Sequence, residues 1–103
     1  MTSYTDTVLV RLLAEGAGAS VDSLDTYESF LSALLTALGG SSDKQDTTPI
    51  LWRKVLAIKG GSSQAMDFQY QTIFQLAGIV GASRDSQDSE TDLLNNILKA
   101  GGL

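Results

Sequence analysis

Apolar residues recur along this chain in bursts of helical spacing, each closed by glycine and set apart by a polar run. The clearest burst holds Phe30, Leu31, Leu34, Leu35 and Leu38, with Ser29, Ser32 and Thr36 facing away. On a 3.6-residue helix those apolar positions form one wide stripe. Gly39-Gly40 stops the helix, because the left-handed residue after a helix end is easy only for glycine. Asp25, followed by Glu28, predicts a capping-box-like start.

The same pattern returns every 21 residues. Aspartate falls at Asp25, Asp46, Asp67 and Asp88, with Tyr4 in that register of the first unit. Glycine falls at Gly18, Gly39, Gly60, Gly81 and Gly102, and serine at Ser20, Ser41, Ser62 and Ser83. Two apolar registers run through Val10, Leu31, Trp52, Ile73 and Leu94, and through Leu13, Leu34, Val55, Leu76 and Ile97. The spacing predicts an all-α single domain over 1–103, in units of about 1–24, 25–45, 46–66, 67–87 and 88–103. Each unit is a helix of about 13 residues, a glycine stop and a linker, stacked as a solenoid or as a small bundle.

Unit by unit, the first offers caps at Thr2, Ser3 and Thr5 and a helix over Thr7 to Glu15. The third has Thr47 or Thr48 as cap and Pro49 in the first turn, where no donor is lost. In the fourth, Gly78 lies inside the helix and suggests a close helix–helix approach. A helix this short is marginal alone, so stability must come from neighbouring helices. From glycine to the next aspartate each linker can reach roughly 26 Å, enough to run back and start a parallel helix, or to turn antiparallel.

Composition narrows the chemistry. The chain has neither cysteine nor histidine, which removes thiolate and imidazole ligands and the commonest general base. Twelve acids against seven bases give a net charge of −5, a poor match for nucleic acid or an anionic membrane. No apolar run approaches the ~20 residues of a membrane span. The start, MTSYTDTVLVRLL, lacks the basic region and cleavage site of a signal peptide, so a cytoplasmic or particle-borne location is expected.

Three groups of residues invite a chemical reading. The linkers carry Gly-x-Ser-x-Asp-x-x-Asp, as at Gly39, Ser41, Asp43 and Asp46, whose oxygens could bind calcium. EF-hand spacing is absent and Gln64 interrupts one copy, so turn and cap chemistry is the expected role. Trp52 with Arg53 and Lys54 is a candidate interaction spot, against a core tryptophan flanked by solvated bases. The pairs Asp22 with Asp25 and Asp88 with Asp92 have no nucleophile or metal ligand set beside them. The Gly-Gly-Ser-Ser runs follow helices rather than precede them, unlike a phosphate loop. No enzyme activity, cofactor, metal or small-molecule substrate is expected.

The segments FLSALLTALGGSS, ILWRKVLAIKGGSS and LLNNILKAGG resemble the LLxxILxALGG-type helical repeats of structural and accessory proteins of tailed bacteriophages. That resemblance implies a small virion component, packing on other virion proteins or on copies of itself. A cytoplasmic helical adaptor that takes a partner peptide or helix is the alternative expectation.

Overall fold

A computed structural model describes residues 5–21, 26–62 and 68–103. It contains five α-helices: α1 (Asp6–Gly16), α2 (Tyr27–Ala37), α3 (Thr48–Ile58), α4 (Gln69–Ile79) and α5 (Glu90–Lys99). Four span 11 residues and α5 spans 10, two or three fewer than the sequence suggests. The expected features at Thr2, Ser3, Tyr4, Asp22, Asp25, Gln64 and Asp67 lie outside the described residues.

Helix starts are set by a residue after the aspartate register, not by the aspartate. Thr26 is the N-cap of α2, and its side chain accepts the Ser29 amide at 3.0 Å. Ser89 caps α5 in the same way, with Asp92 returning the bond to the Ser89 amide. Asp46 and Asp88 stand one residue before the cap position. Each draws in the preceding turn: Asp46 Oδ2 accepts the Asp43 amide at 2.9 Å, and Asp88 Oδ2 the Asp85 amide at 2.8 Å. The linker carboxylates are therefore turn staples in both of these linkers.

Helix ends follow one scheme. At α2, the Gly39 amide donates to Thr36 and the Gly40 amide to the Leu35 carbonyl, with Gly39 at φ +97°. This is a Schellman closure, which needs the left-handed residue that glycine supplies. α5 departs from the expected register: its left-handed closing residue is Gly101, one position before Gly102, because the helix is one residue shorter. Gly78 does not admit a second helix. A side chain there would meet the Arg84 guanidinium, which lies over the Phe74 ring at 4.6 Å and donates to the Phe74 carbonyl at 2.9 Å.

The helices form a compact bundle in which each packs on its chain neighbours, and α1 also packs on α5. The open-ended alternative is thereby excluded: the two ends of the series meet. First residues bond to first residues (Thr48 to Gln69, Gln69 to Glu90), and the end of α3 reaches the last residue, Lys59 Nζ donating to the Leu103 main-chain oxygen. All five helices thus run the same way, the parallel option that the linker length allows. Eleven residues of helix rise about 16 Å, which matches the shortest dimension of a molecule 36 × 33 × 18 Å in extent. The protein is a flat disc, with helix starts on one face and helix ends on the other.

The two apolar registers fill its interior. Leu13, Leu34, Val55, Leu76 and Ile97 are all buried, as are Val10, Leu31, Trp52, Ile73 and Leu94. Thr72 is the buried polar side chain among the described residues, and its hydroxyl returns to the Phe68 carbonyl one turn back.

Candidate functional site

The densest set of polar side chains lies where the helix starts converge. The first residues of the helices are Asp6, Tyr27, Thr48, Gln69 and Glu90. Gln69 donates its amide to Glu90 Oε1 and accepts the Thr48 hydroxyl at 2.9 Å. Tyr27 reaches the same Glu90 oxygen at 3.4 Å, a long contact, although α2 and α5 are not neighbours. It therefore crosses the middle of the disc. Below it, Trp52 Nε1 donates to the Tyr27 hydroxyl at 2.8 Å. Thr91 closes the set by donating to Asp6.

This cluster is a lid over the apolar core rather than an open pocket. Its donors and acceptors are spent on one another, which is what a part-buried polar layer requires. Negative side chains in the first turns, Asp6, Glu28, Glu90 and Asp92, also sit against the positive ends of the α1, α2 and α5 dipoles.

Burial pushes the Tyr27 phenol well above the ordinary tyrosine value, and the nearby carboxylates of Glu90 and Asp6 push the same way; the Trp52 N–H opposes them. The folded protein therefore keeps a proton that the unfolded chain releases near pH 10. The stability this contributes is complete below about pH 10 and falls as pH rises beyond it, by up to ~1.4 kcal/mol per pH unit. Urea midpoints measured from pH 8 to pH 11 should show that fall. In Tyr27→Phe the slope above pH 10 should flatten, and an unchanged slope would remove Tyr27 as its source.

Trp52 is fully buried and is the largest such side chain in the molecule. Lys54 is pinned at 2.6 Å to Asp46, whose carboxyl it holds below the usual range together with the Asp43 amide, and it also reaches the Ser41 carbonyl at 3.3 Å. Arg53 is half-buried on α3. Asp88 and Asp92 both turn their oxygens to backbone amides, of Asp85 and Ser89. Among the described residues no three acidic side chains gather to hold a metal ion, and no helix is long and apolar enough to cross a membrane.

Outside the lid, shallow clefts run beside α2, α3 and α4 and the adjoining linkers. One of 380 Å³ lies beside the first half of α2 and is polar, lined by Thr26, Glu28, Ser29, Asp43 and Lys44 among others. Another of 280 Å³, lined by Leu35, Gly40, Ser41, Lys54, Ala57 and Ile58, opens at the end of α3. Sequence reasoning passed over Phe68. It occupies the N-cap position of α4 and is 74% exposed, and the signal was its column: Thr5, Thr26, Thr47 and Ser89 hold that place in the other helices. Comparison with protein-family models, with curated proteins and with solved structures gave no match.

Proposed function

We propose that this chain is a non-enzymatic structural or assembly protein: five copies of one 21-residue helix-and-glycine module closed into a disc, packing by its faces on larger proteins of a bacteriophage particle. The observation that carries the reading is the lid. Among the described residues, the polar side chains at the helix starts are turned inward, each donor matched to an acceptor of another helix start, as in a part built to hold its shape. Helix starts at equal steps, from Asp6 to Glu90, support the modular origin. The assignment to a virion rests on the resemblance of FLSALLTALGGSS and its counterparts to phage helical repeats. Clefts at the helix seams support a second reading, an adaptor that takes a partner peptide.

Mass spectrometry of purified particles from cells that make the chain tests this. Several copies per particle are expected. A chain missing from particles, but recovered on one host protein, would favour the adaptor. Turnover of any substrate that disappears with Glu90→Gln, at unchanged melting temperature, would end the non-enzymatic reading.

A further inference from the structure

The two faces of the disc are unlike, and unlike in a complementary way. On the face of helix starts, Phe68 projects its ring to solvent at a position where every other helix has a threonine or serine, three of them capping through the hydroxyl. The ring is not needed to close that helix, since Gln71 Oε1 already accepts the Phe68 amide at 3.0 Å. At the opposite edge, Ile58 and Ile79 end α3 and α4 with 41% and 42% of their surface exposed. Their terminal methyls lie over Gly40 and Gly61, positions where a methyl group would collide with them. The cleft beside Ile58, floored by Leu35 and Gly40, is an apolar recess open at this edge.

Charge runs in the same sense. Asp6, Glu28, Glu90 and Asp92 occupy first turns, and Asp43 and Asp85 the turns leading into them. At the helix ends, Lys99 lies in the last turn of α5 and Lys59 follows α3, donating to the Leu103 main-chain oxygen, while Glu15 near the end of α1 is paired with Arg11. The backbone ends of the five parallel helices have the opposite sign, positive under the first face and negative under the second, and offset part of this side-chain charge. A face 36 × 33 Å across offers about 900 Å², close to the ~800 Å² per partner of stable complexes.

We propose that copies of this chain stack head to tail, the Phe68 ring of one disc seated in the recess at the helix-end edge of the next. Such a contact joins different surfaces of identical molecules, so it does not close at two copies but extends into a rod. The inference deepens the structural reading and rests on it. Its failure is separate, because stacking is measured on the purified chain and particle membership is not.

Sedimentation velocity over a concentration series, at low and high salt, is the test. Species larger than a dimer are expected, weaker at high salt as complementary faces require. Phe68→Thr should cut the association constant at least about tenfold, as loss of an aromatic anchor seated in a pocket does. Its melting temperature should not drop, since threonine restores the cap chemistry of the other helices. Lys99→Glu should weaken stacking, and Glu28→Lys in the same molecule should restore part of it. A wild-type chain monomeric at every concentration, association that stops at two, or a Phe68→Thr chain that stacks unchanged would each overturn the proposal.

Discussion

Trp52→Ala is expected to be the most damaging single substitution in this protein, at about 3–5 kcal/mol. Helices packed 8–10 Å apart in a ring of five have their axes roughly 7–8.5 Å from the centre. That is more space than leucines reaching in from the walls can close. Trp52, fully buried beneath the Tyr27–Glu90 bridge, is the side chain that fills it. Alanine removes the indole and leaves the Tyr27 hydroxyl without its donor, so a cavity and a lost hydrogen bond coincide. For a chain of this size each kcal/mol lowers the melting temperature by roughly 4–8 °C. Thermal unfolding followed by circular dichroism reads the effect. Trp52→Phe separates the two causes: it keeps much of the volume but not the N–H, and should lose about 1–2 kcal/mol. If Trp52→Ala costs less than about 1 kcal/mol, the centre of the disc is not held by that ring.

The local features of the fold were legible because their causes are local. Leu31 and Leu34 mark a stripe through helical periodicity, and Gly39 marks a stop because few other residues take φ +97°. Thr5 and Thr47 stand at the cap positions where they were expected, but the start of α2 was placed one residue early, at Asp25 instead of Thr26. Asp25 and Thr26, like Asp88 and Ser89, are adjacent short acceptors, and which of them meets a helix amide depends on a boundary that pattern alone does not fix. The closed ring was not legible at all. It requires α1 to meet α5, a contact between residues as distant as Asp6 and Thr91. The lid escaped for another reason. Tyr27, Thr48, Gln69 and Glu90 share a column but not a chemistry, so the column looks unpatterned until long side chains are seen to meet across the disc. Trp52 admitted two readings because tryptophan suits both a core and an interface, and only its environment separates them. Phe68 is the reverse case. As an apolar residue beside an apolar stripe it drew no notice, yet it is the most exposed of the large apolar side chains among the described residues.

Leu13→Ala and Leu34→Ala should each cost about 2–5 kcal/mol and should agree within roughly 1 kcal/mol. Both leucines are fully buried, one in α1 and one in α2. In an open row of helices the first has a neighbour on one side, frays before the rest, and loses less when its stripe is trimmed. Here α1 stands between α2 and α5, so its leucine has walls on both sides. Equal losses from urea unfolding, with one cooperative transition in both variants, are the mark of a ring that opens all at once. A Leu13→Ala loss far below that of Leu34→Ala, or amides of α1 that exchange well ahead of those of α3, would mean that the seam with α5 carries little energy. The disc would then be an open arc whose ends touch, its first helix free to peel away while the other four stay folded.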